Sequence, residues 1–434
     1  MPKSILLIGA TGFIGSEIAR MLVREGHAVT GLARDIDYGR RILARLNWVQ
    51  GDLRALLTAN DWQGKVKGHD IVINASGALQ SGLRDNVNQV QFEAIAALIE
   101  ACKIAETGHF IQISASNADQ GQSSDFMESK AKADALLAAS GLSHTLLRPG
   151  LVIGRNAFGG TEMVRMAAAL PWVVVAPFGT GKIQCVALAD VLDAVNRSVA
   201  RPEAAQGQYD LVERPSHDLA EIFEKHRQWL GFAPCRFRLR VPVWIVRPLT
   251  AIADGLGWLG WRSPLRSNSI AALMNGVSGN ADEAEKLLGR PPKNLDQTLA
   301  ELPAAGKADR WHARIATLYP LALASLLLLW LGSGVLGLVK ADQTAALIAG
   351  QVGESSARLL VFAGSIADIA VGLGLLFRPW LKAALLGSVL LTLGYWAGSA
   401  LLRPDLWLDP LAPMLKTAPA LILSLACLAI ADER

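Results

Sequence analysis

Three glycines near the start of the chain have the spacing of a phosphate-binding turn. They lie in residues 9–15 (GATGFIG), directly after an apolar run at 5–8 and directly before a segment with helical spacing of its apolar residues. In such a strand–turn–helix unit the glycines permit a tight turn, close approach of a pyrophosphate and packing of the helix on the strand. Free N–H groups at the helix N-terminus then bind the anion. The residues predicted to hold a dinucleotide here are Gly9, Thr11, Gly12, Phe13, Ile14 and Gly15.

The second predicted strand, residues 27–33, ends at Arg34, and Asp35 follows it. An acid at this position binds the ribose hydroxyls of NAD, whereas an arginine accommodates the 2′-phosphate of NADP. Because Arg34 occupies the strand end itself, the sequence favours NADP(H) over NAD(H) as the cofactor.

Further short apolar runs alternate with helical stretches along the first half of the chain. Buried strands are predicted at 48–51, 70–73 and 110–113, and a helix at 90–104. This alternation predicts an α/β Rossmann domain with a doubly wound parallel sheet. Ligands of such sheets bind beyond the carboxyl ends of the strands. Polar candidates at predicted strand ends are Arg34, Asp52, Asn74 and Ser116.

Five segments together resemble the extended and atypical short-chain dehydrogenase/reductase superfamily. They are GATGFIG at 9–15, GDL at 51–53, NASG at 74–77, ISAS at 113–116 and LRPGLVIG at 147–154. The branch most similar to this chain holds the nucleotide-binding accessory subunit of respiratory complex I, and the resemblance covers roughly residues 1–300. It implies that Asp52, with Leu53, contacts the adenine and that Pro149 and Gly150 wall the nicotinamide end. It also implies that the cofactor is lined by Asn74, Ala75, Ser76 and Gly77.

The catalytic pair of that superfamily is incomplete. Lys130 stands at the expected place, but the position four residues earlier, where the family has tyrosine, is Phe126. A phenyl ring cannot transfer a proton. Lys130 then has three interpretations: it holds the nicotinamide ribose without catalysing a reaction, it works with Ser116, Glu128 or substrate groups in place of the tyrosine, or it is a solvated helix lysine. Ser116 aligns with the catalytic serine of the family, or else is a capping or turn hydroxyl.

The composition changes sharply near residue 310. The whole chain is 51% hydrophobic and 18% charged, and the charges fall mostly before residue 315. Four apolar runs of about 20 residues follow, at 315–339, 357–377, 381–402 and 411–430. We therefore predict a Rossmann domain at 1–305, with a small substrate cap at about 150–300, and an all-α four-helix transmembrane bundle at 311–434.

The last part of the chain resembles the DoxX-like membrane family. The segments that carry the resemblance are DPLAPMLK at 409–416 and LWLGSG at 329–334. Asp368 lies inside the second predicted span, and an acid within a membrane is either functional or hydrogen-bonded to neighbouring helices. The expected partners on the third span are Ser388, Thr392 and Tyr395.

Charges flanking the predicted spans indicate the orientation. Arg310 and Arg314 precede the first span, and Arg378 and Lys382 bracket the turn between the second and third. This bias predicts a multi-pass protein of the inner membrane with its N-terminal domain in the cytoplasm. The start of the chain lacks the basic region and cleavage site of a signal peptide, which agrees with that orientation.

Other patterns bear on partners. The four cysteines have neither CxxC nor zinc spacing, so we expect a reducing compartment and no metal site. No basic-aromatic stripe for nucleic acid occurs in the soluble part. Residues 236–266 combine three tryptophans and several arginines with one acid, Asp254. Such a stretch either lies in the membrane interface or forms an apolar cap over the active cleft.

Two functional hypotheses follow. The first is a membrane-tethered NAD(P)H-dependent oxidoreductase acting on a quinone-like or isoprenoid substrate, working beside a respiratory or quinone-pathway membrane complex. The second is a non-catalytic NADP(H)-binding sensor or scaffold of a membrane complex. Phe126 favours the second hypothesis, because it removes the usual proton donor. The first hypothesis stays open, because reduction of a quinone needs less help from a protein acid than oxidation of an alcohol does.

Overall fold

The structure is a computed structural model that describes residues 1–77, 86–117, 124–261, 263 and 265–431. The chain divides into two compact units, one of residues 1–254 with 263–313 and the other of residues 255–262 with 314–434. The strands are β1 Ser4–Ile8, β2 Ala28–Ala33, β3 Asn47–Gln50, β4 Ile71–Asn74, β5 His109–Ile113, β6 His144–Pro149, β7 Leu151–Ile153, β8 Val173–Pro177, β9 Cys185–Ala187, β10 Gly207–Leu211 and β11 Phe237–Val241.

The helices up to residue 301 surround and connect these strands. They are α1 Phe13–Arg24, α2 Ile36–Ile42, α3 Ala59–Val66, α4 Ala94–Ile104, α5 Asp125–Ala139, α6 Gly160–Ala169, α7 Leu188–Ala200, α8 Leu219–Trp229, α9 Val243–Trp258, α10 Ser267–Asn275, α11 Ala281–Leu288 and α12 Leu295–Glu301. A π-helical turn, Gln89–Glu93, leads directly into α4.

Seven strands form one parallel sheet in the order β3-β2-β1-β4-β5-β6-β10. Side chains of β1 alternate between the two faces, as the pleat requires. Ile5 and Leu7 pack in the core that includes Ile18 of α1, while Leu6 and Ile8 pack with Leu98 of α4. The order of strands reverses between β1 and β4. The predicted doubly wound Rossmann sheet is thereby confirmed, and ligands bind such sheets at this reversal.

A smaller hydrophobic core lies beyond the sheet, where the substrate cap was predicted. It contains Ile153 of β7, Val174 of β8 and Phe223 of α8. Two two-stranded parallel pairs, β7 with β9 and β8 with β11, belong to this part of the first unit.

The second unit is helical. Its helices are α13 Lys307–Val339, which begins within the first unit, α14 Ala341–Ala346, α15 Ala349–Val352, α16 Glu354–Leu376, α17 Leu381–Leu402, α18 Asp405–Leu408 and α19 Ala418–Ile430. In the described residues, α13, α16 and the segment Arg378–Leu402 that contains α17 are long and apolar enough to cross a membrane. These helices correspond to the first three predicted spans.

The predicted four-span bundle is not confirmed in full, because the segment at 411–430 is not one long helix. Only Leu415–Ile430 forms an apolar helix, and it is shorter than the other three. Its 16 residues rise about 24 Å, less than the roughly 30 Å of a hydrocarbon core. Ala412, at φ 45°, and Pro413 delay the start of the helix, since the residue before a proline is disfavoured in the helical region.

Glycines bring α13 and α16 close together. A Cβ on Gly334 would lie 2.6 Å from the carbonyl oxygen of Ser365, and a Cβ on Gly372 would lie 2.6 Å from a methyl group of Leu331. Gly337 also faces Ser365. Small residues at such contacts are the usual means by which membrane helices pack closely.

Candidate functional site

The glycine turn joins β1 to α1, and each glycine has its own reason to lack a side chain. Gly9 has φ +80°, and a Cβ there would lie 2.6 Å from the carbonyl oxygen of Ala75. A Cβ on Gly15 would collide with the Gly9 carbonyl. Gly12 is different. Among the described residues a Cβ there would meet one atom within 4 Å, the Gly9 oxygen at 3.2 Å, so the space in front of Gly12 is open.

No side chain caps the N-terminus of α1, where Gly12 is the capping residue. The first amides of a helix have no acceptor within the helix, and the helix dipole makes this end positive. The turn therefore offers N–H groups to an anion, which fits the pyrophosphate of a dinucleotide. Within the turn, Thr11, Phe13 and Ile14 are half-buried. The aromatic ring of Phe13 packs close to Gly154, where an added Cβ would lie 3.5 Å from the ring.

The end of β4 is fixed against this turn. The buried Asn74 side chain donates from Nδ2 to Gln112 Oε1 at 2.9 Å and accepts from the backbone N–H of Ser76 at 3.0 Å. The amide of Ala75 donates to the carbonyl of Ile8 at 3.0 Å. Asn74, Ala75 and Ser76 thus form one wall beside the glycine turn, and Gly77 continues it.

Two charged candidates lie at neighbouring strand ends, after β2 and β3. Arg34 is exposed, and its positive charge acts on Asp52. Asp35 caps α2 by accepting from the amide of Tyr38 at 2.9 Å. The Asp52 carboxylate pairs with Arg54, and hydrogen bonds from that guanidinium lower the Asp52 pKa. The Leu53 side chain is half-buried and packs against the hydrophobic core that contains Leu6 and Ile8 of β1. The sequence analysis missed Arg54, which holds Asp52 in place.

Lys130 lies on α5, whose start is fixed by Ser124 accepting from the Met127 amide at 3.3 Å. The lysine is buried, and Nζ donates to the carbonyl oxygen of Ile113, at the end of β5, at 3.1 Å. This burial excludes the interpretation of Lys130 as a solvated lysine. Burial also lowers its pKa, while the charge of Asp134 opposes that shift. An ammonium has three N–H donors, so the Ile113 bond leaves capacity for a ligand.

A buried carboxylate accompanies Lys130 one helical turn later. Asp134 accepts from Ser114 Oγ at 2.6 Å, and Arg148 Nε lies 3.6 Å from the same carboxylate oxygen. Burial raises the pKa of Asp134, and the nearby cations oppose the shift. The i, i+4 spacing of Lys130 and Asp134 is visible in the sequence and could have revealed this pair, although Asp134 was not predicted as a site residue.

The proposed substitutes for the missing tyrosine are engaged elsewhere. The Phe126 ring lies beside Lys130, with Nζ 5.7 Å from the ring centre. Ser116 is buried and donates from Oγ to the carbonyl of Arg148 at 3.0 Å. Glu128 is paired with Lys132 at 2.7 Å, and that hydrogen bond lowers its pKa. The Ser116 geometry is that of a turn hydroxyl tying β5 to β6.

The end of β6 and the residue after it lie close to neighbouring backbone. The carbonyl of Pro149 accepts from the amide of Ser116 at 3.0 Å. A Cβ on Gly150 would lie 2.5 Å from the carbonyl oxygen of Gln184. The two residues thus connect the sheet edge with the segment that precedes β9.

Gln91 is a buried site residue that the sequence did not indicate. It lies in the π-helical turn, and its Oε1 accepts from Ser129 Oγ at 3.1 Å, next to Lys130. Its Nε2 would lie 3.9 Å from a Cβ on Gly77. Gln91 therefore joins the cofactor wall to the lysine helix. Single π-helical turns often occur at functional sites, but no sequence pattern marks them.

Asp368 belongs to the second unit. Its carboxylate accepts from Tyr395 OH at 2.6 Å and from Ser333 Oγ at 2.7 Å. Of the three expected partners only Tyr395 is correct. Ser388 instead accepts from Trp330 Nε1 at 2.8 Å, and Thr392 donates to the Ser388 carbonyl. Ser333, on α13, was not among the expected partners.

Comparison with known families agrees with both units. Residues 9–192 match a family model described as NAD(P)H-binding, and residues 327–425 match the DoxX-like family. The chain is an NAD(P)H-binding domain followed by a DoxX-like domain. The DoxX-like domain and the three long apolar helices indicate a membrane protein.

Relatives of the NAD(P)H-binding domain include oxidoreductases. The NADH-ubiquinone oxidoreductase 40 kDa subunit of Neurospora crassa mitochondria is 22% identical over 258 residues, which are 58% of this chain and 66% of that subunit. The chain thus spans just under two thirds of that relative's length. The NAD(P)H azoreductase of Xenophilus azovorans is 26% identical over 309 residues, 70% of this chain and 98% of the relative.

Solved structures share the fold. The triphenylmethane reductase of Citrobacter sp., complexed with NADP(H), has a TM-score of 0.54 and 17% identity, and the match covers 69% of this chain and 100% of that one. Another structure of this fold holds NAD. The fold is therefore compatible with either nicotinamide cofactor.

Proposed function

We propose that the NAD(P)H-binding domain is a reductase for a lipid-soluble, quinone-like or isoprenoid substrate, and that the DoxX-like domain anchors it in the inner membrane with the N-terminal domain in the cytoplasm. The observation that supports this best is the combination of an uncapped glycine turn at Gly12 with a buried lysine on α5, Lys130, whose ammonium donates to the end of β5. The azoreductase relative supports a reductive reaction.

The residues of this chain have distinct tasks in the proposal. The turn around Gly12 binds the pyrophosphate, and the wall from Asn74 to Gly77 lines the cofactor. Lys130 holds the nicotinamide ribose with the N–H groups not used by Ile113. A bound NAD(P)H supplies a hydride. The hydride would carry both electrons and one hydrogen to the quinone, and the single proton that completes the hydroquinone would come from water, so Phe126 does not prevent the reaction.

The lysine is the sharpest test of this site. Lys130→Met should weaken NADPH binding about 10- to 100-fold, because a hydrogen bond to a charged group contributes about 1.5–3 kcal/mol. Lys132→Met is the matched control, since Lys132 lies on the same helix but is half-exposed and pairs with Glu128. Calorimetry on the detergent-solubilised full chain measures both. Equal affinities of the two variants would remove Lys130 from the site.

Arg34 is proposed to set the preference for NADP(H). Arg34→Ala should weaken NADPH binding about 10- to 100-fold, the loss of one charge-assisted contact, and leave NADH binding nearly unchanged. Arg45→Ala, an exposed arginine before β3, should change neither. If the unmodified protein binds NADPH and NADH equally, the proposed preference is wrong.

Catalysis itself is tested by turnover. Proteoliposomes that contain the protein should oxidise NADPH when short-chain quinones are added. The oxidation is measured as the loss of NADPH absorbance, and Lys130→Met should slow it.

The second candidate function is a non-catalytic NADP(H)-binding sensor or scaffold of a respiratory or quinone-pathway membrane complex. Phe126 and the engaged hydroxyl of Ser116 favour it. Tight NADPH binding without oxidation by any quinone would support that candidate.

A further inference from the structure

Exposed large apolar side chains are unevenly distributed over the first unit. Among its described residues fourteen such side chains are exposed, and eight of them fall within 172–178 and 237–252. We name these eight the aromatic face. They are Trp172, Phe178, Phe237, Leu239, Trp244, Ile245, Leu249 and Ile252. Concentrations of exposed apolar residues on this scale usually mark interaction sites.

A small sheet and its flanking residues supply half of the aromatic face, with Phe237 and Leu239 in β11 and Trp172 and Phe178 directly before and after β8. Strands β8 and β11 pair in parallel, with Phe237 opposite Val173 and Leu239 opposite Val175. Opposite residues of paired strands point to the same side of a sheet. Val173, Val175, Phe237 and Leu239 therefore form one apolar side of this sheet. Phe237 and Leu239 remain 63% and 53% exposed, which shows that no described element covers this side.

Helix α9 supplies the other half. Ile245, Leu249 and Ile252 follow one another at spacings of four and three residues, which places them along one stripe of the helix. All three are exposed, as is Trp244, while Thr250 and Ala253 are buried. The helix therefore packs through its small residues and presents its large apolar residues outward, the reverse of an ordinary surface helix.

The segment that carries most of the aromatic face is basic. Residues 236–253 contain four arginines and no acid. Arg238 pairs with Glu224 on the side of the sheet that faces α8, and Arg240, two residues further on, shares that side. In the described part of the chain no ion pair joins Arg236 or Arg247 to an acid. The surroundings of the apolar residues are thus suited to a negatively charged partner.

Trp172 is held in an unfavourable backbone conformation. Its φ is +61°, a region that bulky residues rarely adopt, and its side chain is 65% exposed. Such conformations persist where the surrounding structure fixes them, often at sites of function. Here the fold presents an indole directly before the start of β8, next to Phe237, whose amide donates to the Trp172 carbonyl.

From these observations we propose that the aromatic face docks on the surface of a bilayer that contains anionic phospholipid. Tryptophan and arginine around an apolar surface suit the level of the lipid headgroups. Anionic headgroups attract arginines without requiring a shaped pocket. The proposal assigns residues 236–252 to the membrane interface rather than to a cap over the active cleft.

The test places a fluorescent label on the face in the full chain. NBD is attached to Leu249→Cys in a Cys235→Ser background, since the other three cysteines are buried. The matched control is Leu136→Cys on α5, another exposed leucine. The proteins are reconstituted into phosphatidylcholine vesicles, with or without phosphatidylglycerol, that contain doxyl-labelled lipid.

We expect quenching at position 249 roughly twofold or more above that at 136, increased by phosphatidylglycerol. Replacing Arg236 and Arg247 by Gln should remove the increase. An unquenched label with blue-shifted emission would show that protein covers the face, either a second copy or the other unit of the chain, and would overturn the proposal. An unquenched label with the emission of an aqueous probe would overturn it as well.

Discussion

Replacement of Gly12 by Asp is expected to abolish dinucleotide binding while leaving the protein folded. The new carboxylate would occupy the open space in front of α1, where the pyrophosphate is proposed to lie. Opposed like charges cost several kcal/mol, so NADPH affinity should fall on the order of 100-fold or more. The fold should persist, because φ at Gly12 is −81° and aspartate is a favoured N-terminal capping residue.

Two control variants separate charge from space and from the mutation itself. Gly12→Ala adds a methyl group that would meet only the Gly9 oxygen at 3.2 Å among the described residues, so it should bind NADPH more tightly than the Asp variant. Gly64→Asp adds the same charge to α3, where a Cβ has open space, and should bind normally. Calorimetry on the solubilised chain measures all three. Normal NADPH affinity in Gly12→Asp would mean that α1 does not hold a phosphate.

Replacement of Asp368 by Leu should have the largest effect on the second unit. The carboxylate joins α16 to α13 through Ser333 and to α17 through Tyr395. Leucine would leave both hydroxyls without this acceptor inside the bundle. Each lost partner costs about 1–3 kcal/mol in buried sites, although measured values between membrane helices are often near 0.6 kcal/mol. We therefore expect a clearly lower thermal midpoint in detergent.

Asp368→Asn distinguishes structure from proton transfer. An amide can accept and donate hydrogen bonds at the same place but cannot exchange a proton, so this variant should remain close to the unmodified protein in stability and in quinone-dependent turnover. Ser399→Ala, also on α17 but bonded to Trp396 and Trp407 rather than to the acid, controls for loss of a polar group. Turnover that falls in a stable Asn variant would instead assign Asp368 a role in protonation.

The sequence was sufficient for the sheet because its signals are local. Each buried strand is a short apolar run, and the glycine turn is contiguous, so a doubly wound parallel sheet followed from general rules of α/β folds. The burial of Lys130 was not accessible in this way. Its surroundings come from Ile113, Asp134 and Phe126, and only Phe126 and Asp134 lie on the same helix.

Errors arose where long-range packing or a single backbone feature decides the structure. Apolar composition extended the fourth predicted span to residue 411, although Ala412 and Pro413 interrupt the helix there. Ser333 was missed as a partner of Asp368 because nothing in the sequence shows which turn of α13 faces α16. Gln91 was missed because a π-helical turn shifts side chains by one position without a recognisable pattern.

The close approach of α13 and α16 has a mechanical consequence. Gly334 lies against Ser365 at backbone distance, so sliding one helix along the other by a turn, about 5.4 Å, would bring Trp330 or Leu338 to a place that has no room for a methyl group. A shift of register between α13 and α16 is therefore sterically blocked. The hydrogen bond from Tyr395 to Asp368 fixes α17 to the same pair of helices, so the buried acid and the two glycines together define one register for the three longest helices of the domain.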